Sequence, residues 1–172
     1  LVPENLTVAK EHGVTVMANA AAAVKDADVV ITMLPAGKHV LAVYDDIAPK
    51  AKAEALFIDS STIDVDSARK AHAIAQKHGH ASVDAPVSGG TGGASAGTLT
   101  FMAGGEDKAF ARAEPILKPM AGRIVHCGGD GAGQAAKICN NMLLGISMIG
   151  VAEAFVLAEK LGLSHQALFD VA

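Results

Sequence analysis

The chain has no tryptophan among its 172 residues, a single tyrosine, and only 3% aromatics overall. Bases therefore have no stacking platform, and 14 Lys and Arg against 18 Asp and Glu leave no basic stripe to neutralise phosphates. Nucleic acid is not an expected partner. Cysteine is equally sparse. Cys127 and Cys139 form neither a C-x-x-C pair nor the even framework of a small secreted domain, so both read as reduced, partly buried thiols of an intracellular protein. Metal-ligand spacing is missing among the seven histidines; His72, His78 and His80 fall on a helix end and the turn beyond it, where a solvated face is expected. There is no G-x-S-x-G elbow, and no basic, apolar leader with a small-residue cleavage site opens the chain. The run MLLGISMIGVAEAFVLA, residues 142–158, is shorter than the roughly 20 residues a bilayer core demands and contains Glu153. A buried core helix is expected there, not a membrane span.

What is present is apolar: 51% of the residues are hydrophobic, enough for a proper core. Short β-branched runs (VTVMA, VVITML, ALFIDSS, ASVDAPV, TLTFMAGG and RIVHCG) alternate with helical stretches, the pattern of an α/β protein with a mostly parallel sheet. Pro3 suits the first turn of an opening helix and Gly13 its C-terminal cap. After FIDSS, Thr62 or a neighbouring serine suits the N-cap of a helix that Gly79 closes. Farther on, Phe110, Ala113 and Leu117 share one face of a helix in which Pro115 limits regularity. From Gly133 to Lys160 no proline interrupts the apolar pattern, giving a helix of about 40 Å. Such a length outgrows a sheet crossover and suits a connector, so residues 1–130 read as one unit and 131–172 as a long helix entering a second, helical one.

Four segments could carry chemistry. In GAGQAAKICNN, residues 131–141, Gly131, Gly133 and Ala136 imitate a G-x-G-x-x-A dinucleotide fingerprint with Glu153 at the acidic position. The imitation fails on context, because the fingerprint needs a second strand ending in that acid and Glu153 lies deep in a helical run. Lys137 and Asn141, four apart, share a helix face near its start, where free N–H groups favour anions. A cation gains nothing from that end of the dipole. The lysine is either a snorkelling side chain or one kept for another role. In DAPVSGGTGGASAGTLTF, Ser88, Gly89 and Gly90 follow a strand end and read either as a flexible loop or as bare backbone that meets a carboxylate. In ITMLPAGKHV, Pro35 restricts Leu34 and makes either a plain turn or an apolar rim for a flat ring. The hydroxyls of IDSST suit a cap or a ligand.

These four segments, in this order and over nearly the whole chain, resemble the β-hydroxyacid dehydrogenase family. The resemblance implies an N-terminal Rossmann domain, a long interdomain helix and an all-helical C-terminal domain through which protomers pair into a homo-oligomer. It implies Lys137 as the catalytic lysine, with Ser88, Gly89, Gly90 and Asn141 on the substrate, a small β-hydroxy acid. Leu34, Pro35, His39 and Thr62 would line NAD, or NADP; His39 stands where related enzymes often have asparagine. No metal is implied, and the place of action would be the cytoplasm, or the mitochondrial matrix in a eukaryote. By the same resemblance the glycine-rich turn and the NAD/NADP selector precede Leu1, and most of the helical domain, with a second lysine, follows residue 172. Close alternatives are a sibling acting on another small β-hydroxy acid, such as tartronate semialdehyde, or a non-catalytic relative kept for assembly.

Overall fold

The computed structural model describes residues 3–172; Leu1, expected just past the cofactor selector, lies outside them together with Val2. Cα packing divides the chain into two units, Leu1–Ala135 and Ala136–Ala172.

The first unit is a mixed, mostly parallel sheet covered on both faces. Strands β1 (Val29–Thr32), β2 (Leu56–Asp59) and β3 (Ala81–Asp84) pair in parallel, and β5 (Leu99–Gly104) pairs in parallel with β6 (Ala121–Gly128). Strands β3 and β4 (Val87–Ser88) both pair antiparallel with β5, in one unbroken register. Helices α1 (Pro3–Glu11), α2 (Ala20–Val24), α3 (Gly37–Ile47), α4 (Val65–Lys77), α5 (Gly90–Ala96) and α6 (Asp107–Leu117) fill the connections.

Period-two alternation divides the core. In β2, Phe57 faces Val40, Tyr44 and Ala71 from α3 and α4, whereas Leu56 and Ile58 face Ala109, Ala113 and Leu117 from α6. All four β2 residues are buried, as expected of a strand covered on both sides. Phe57 meets Tyr44 edge-on with centroids 5.1 Å apart and lies 4.9 Å from the His80 ring.

Several expectations change. VTVMA forms no strand: residues 14–17 are irregular and Val14 and Met17 are exposed, because β1, the nearest strand in sequence, pairs only with β2. A strand without a ladder partner leaves its N–H and C=O groups to water. The cap of α4 is Asp64, whose carboxylate accepts from Ser67 N–H at 2.8 Å and is thereby held below the usual carboxylate range. Thr62 and the serines before it are left for other contacts. His72 and His80 are not on a solvated face; both are buried, and His80 Nε2 is paired with the Ala48 carbonyl at 2.9 Å.

The second unit holds most of α7 (Ala132–Lys160), whose 29 residues agree with the expected length, and α8 (His165–Val171), capped by Ser164. The expected burial of residues 142–158 is not found. Met142, Leu143, Leu144, Ile149 and Leu157 are exposed, and Ala158 is the one buried residue of that run. A helix apolar on every side needs cover on every side, and α8 reaches only its end, where Phe155 meets the His165 ring. By length and composition alone α7 could cross a membrane. Cys139, on this helix, is exposed and not partly buried; Cys127 is half-buried, and both thiols are free.

Replacing Phe57 by alanine removes a ring with no exposed surface between two helical layers. Denaturant unfolding should show a loss of about 3–5 kcal/mol, whereas Lys70→Ala, which breaks an exposed pair with Asp66, should cost under about 1 kcal/mol.

Candidate active site

The parallel register sets the C-terminal ends of three strands side by side: Thr32 opposite Asp59, and Asp59 opposite Asp84. Ligands of open α/β sheets bind beyond such ends. Two buried carboxylates organise the segments that leave them.

Asp59 Oδ1 accepts from Thr32 Oγ1 at 2.8 Å, from Ser61 Oγ at 2.6 Å and from Ser61 N–H at 3.3 Å. The Ser61 hydroxyl in turn accepts from Leu34 N–H at 2.8 Å. Asp59 thus ties the segment after β1 to the segment after β2. Its Oδ2 has no partner among the described residues, and burial pushes the carboxyl above its ordinary range despite the Ser61 and Thr32 bonds. Burial, with Asp59 close by, also holds the Tyr44 phenol well above its usual range.

Asp84 is fully enclosed and makes the better-satisfied site. Oδ1 accepts from Gly131 N–H at 2.9 Å and from His72 Nε2 at 2.9 Å; Oδ2 accepts from Gln134 N–H at 2.8 Å. The far side of the His72 ring meets the Ser82 hydroxyl at 2.6 Å and Asp130 at 3.4 Å. A carboxylate from the sheet therefore caps the start of α7, where the helix dipole favours a negative charge. The glycines of the false fingerprint now have a reason. A Cβ on Gly133 would lie 2.5 Å from the Asp84 carbonyl oxygen, and one on Gly104 would lie 2.5 Å from Asp84 Oδ1. The motif lets a helix start meet a strand end and cradles no pyrophosphate.

Gln134 has no exposed surface. Its Nε2 donates to the Ser61 carbonyl at 2.6 Å and its Oε1 accepts from Ile63 N–H at 3.1 Å. One amide clamps the backbone on both sides of Thr62, which is itself exposed.

The residues singled out from the sequence fall as follows. Leu34 is half-buried, and Pro35, His39 and Thr62 are exposed; Leu34, Pro35 and Thr62 lie just beyond the ends of β1 and β2, with His39 in the first turn of α3. Ser88 ends β4 half-buried, and Gly89 and Gly90 are exposed. The run from Gly90 is no flexible loop but helix α5, entered through Gly89 at φ 126° and Gly90 at φ 61°, angles that strain any residue with a side chain. Lys137, half-buried, and Asn141, exposed, are one turn apart on α7 in the second unit. Asp59, Asp84 and Gln134 carry no site signal in the sequence, and His72, expected on a solvated face, is instead a buried partner of Asp84. No cluster of three His, Cys, Asp or Glu side chains that could hold a metal occurs among the described residues. Burial raises the Cys127 thiol, which disfavours its nucleophilic thiolate.

Residues 1–129 match the family described as the NAD binding domain of 6-phosphogluconate dehydrogenase, and residues 131–172 match the NAD-binding family of NADP-dependent 3-hydroxyisobutyrate dehydrogenase. A probable 3-hydroxyisobutyrate dehydrogenase of Mycobacterium tuberculosis is 58% identical over 98% of this chain and 58% of its own length. An NAD-dependent L-serine dehydrogenase of Pseudomonas aeruginosa is 48% identical over 92% of this chain and 54% of its own. The structure of Mycobacterium tuberculosis 3-hydroxyisobutyrate dehydrogenase with L-serine superposes with a TM-score of 0.97 at 58% identity, over 99% of this chain and 58% of that one. The chain thus spans little more than half the length of these relatives.

A raised carboxyl binds its proton more tightly folded than unfolded, so the part of the stability due to Asp59 is present at low pH and is lost as pH rises through the folded value. Asp59→Asn keeps the Oδ1 acceptor and removes the titration. Urea unfolding from about pH 4 to pH 7 should show the stability of the variant gaining on the wild type as pH rises; a constant difference would contradict the assignment.

Proposed function

The chain belongs to the β-hydroxyacid dehydrogenase family, with an NAD-binding domain of the 6-phosphogluconate dehydrogenase type, and from that premise we propose that the whole protein oxidises 3-hydroxyisobutyrate reversibly to methylmalonate semialdehyde, a step of valine breakdown. The observation that carries this reading is Lys137, a half-buried amine early on α7, in a family-specific motif whose first residues are pinned to the strand ends. NAD is the expected cofactor, with NADP the alternative.

The residues at the strand ends fit the nicotinamide part of that cofactor. Pro35 offers an exposed apolar edge, Leu34 is held by Ser61, and Thr62 presents a hydroxyl from a clamped backbone. His39, at the start of α3, adds a ring nitrogen. When bound, the cofactor accepts the hydride that leaves the carbinol carbon. The protein has to manage the proton. As the C–H bond breaks, the hydroxyl loses its proton and becomes a carbonyl; Lys137 Nζ takes that proton when neutral, or stabilises developing alkoxide when charged. Asn141 shares the helix face of Lys137 and offers an amide to orient the hydroxyl or the amine. The Ser88 hydroxyl and the Gly89 and Gly90 backbone, free of Cβ atoms, receive the carboxylate.

A second reading has an observation behind it. L-Serine is also a 3-hydroxy acid; one relative at 48% identity is an L-serine dehydrogenase, and the superposed structure at 58% identity was solved with L-serine. The two acids share the reacting alcohol and the carboxylate and differ at C2, methyl against ammonium. The exposed apolar residues of α7 support pairing through a helical domain into a homo-oligomer, and two unpaired thiols suit a reducing compartment, the cytoplasm or, in a eukaryote, the mitochondrial matrix.

In the full-length protein, Lys137→Ala should lower turnover by about 10² to 10⁴ while NAD still binds in titration; near-normal turnover would remove the lysine from the mechanism. Comparing kcat/KM for 3-hydroxyisobutyrate, L-serine and glycerate should favour the first, because a pocket built for a methyl group leaves an ammonium or an extra hydroxyl unpaired. A preference for L-serine would establish the second reading.

A further inference from the structure

We infer that Gln134 is a positioning residue for this reaction, holding Thr62 where the cofactor binds and tying it to the start of α7. The inference rests on the reading above and goes beyond it, since that reading gives no role to Gln134, which has no surface to offer a ligand. Its geometry is the basis. A glutamine with no exposed surface is uncommon, and here each polar group is matched: Nε2 with the Ser61 carbonyl at 2.6 Å, Oε1 with Ile63 N–H at 3.1 Å, and its own backbone N–H with Asp84 at 2.8 Å. The first two bonds flank one residue. Ser61 and Ile63 are buried on either side of Thr62, whose side chain is directed outward. An amide that donates to one neighbour and accepts from the other fixes both the place and the orientation of the backbone between them.

The same residue lies in the first turn of α7, three positions before Lys137. Helical side chains three apart lie on adjoining rows of a helix. The strand ends are thus joined twice to α7: Asp84 takes the Gly131 and Gln134 N–H groups, and the Gln134 side chain takes the Ser61–Ile63 backbone. Asp84 stabilises the helix start; Gln134 alone also contacts the Thr62 segment.

Two variants of the full-length protein test this. Gln134→Glu keeps the shape and the acceptor for Ile63 N–H but turns an oxygen toward the Ser61 carbonyl. Gln134→Met keeps the volume and removes both bonds. NAD titration of the protein without hydroxy acid gives a readout separate from turnover. The expected result is an NAD dissociation constant raised threefold or more, kcat lowered tenfold or more, and a KM for the hydroxy acid within twofold of wild type. A dissociation constant within twofold of wild type, whatever the change in turnover, overturns the inference. So does failure of both variants to fold, which would make the amide a folding element only. Lys137→Ala, measured alongside, separates this inference from its premise: normal turnover there ends the reaction reading, whereas an inactive Lys137→Ala beside normal Gln134 variants ends only the role of Gln134.

Discussion

One buried carboxylate, Asp84, governs the strand-end side of the first unit. Enclosed in the sheet, it would be strongly unfavourable if left unmatched, and three N–H groups from two elements match it: His72 from α4, and Gly131 and Gln134 from the start of α7. The match dictates sequence around it. Gly104 cannot carry a Cβ because Asp84 Oδ1 and the Ala132 and Gly133 nitrogens occupy that space, and Gly133 cannot because the Met102 and Asp84 carbonyl oxygens do. His72 must be buried for its Nε2 to reach Asp84, which places α4 against β3. The start of the longest helix is therefore a consequence of a strand residue.

The second carboxylate has a different balance. Asp59 collects its three donors on one oxygen and leaves the other without a partner among the described residues, so burial outweighs hydrogen bonding and its proton is held more tightly than usual. The arrangement is costly but ties together the two segments that leave β1 and β2. Leu34 hangs from Ser61, and Ser61 from Asp59. A buried hydrogen-bond network that is less than fully satisfied trades stability for a fixed geometry.

Much of this was legible in the sequence, for identifiable reasons. Five of six expected strands form, because β-branched runs bounded by turn residues carry both their period and their punctuation. The sixth, VTVMA, had the composition without a ladder partner, which a local pattern cannot reveal. The long helix was readable to within one residue at its start, whereas its exposure was not, since apolar character announces a need for cover and not which element supplies it. Lys137 stood out as a cation at the unfavourable end of a helix, whereas Asn141, Pro35 and Ser88 drew notice only through helix spacing and their places after strands. Asp59, Asp84, His72 and Gln134 did not stand out, because each has a partner that a local pattern cannot reveal: Thr32 lies 27 positions from Asp59, Ser61 lies 73 from Gln134, and His72 reaches Asp84 across a helix and a strand.

That contrast explains why a dinucleotide fingerprint and a helix anchor can share a spelling. Both need a strand end, a tight turn and the first turn of a helix to meet more closely than side chains allow, and glycine is the answer in either case. What differs is the anion at the helix start. In a dinucleotide site it is a pyrophosphate brought from outside; here it is a carboxylate that the fold supplies, and the capped N–H groups of Gly131 and Gln134 are no longer available to a phosphate. Glycine spacing alone states that two backbones approach, and only the residue filling the gap says whether the approach was made for a ligand or for the helix itself.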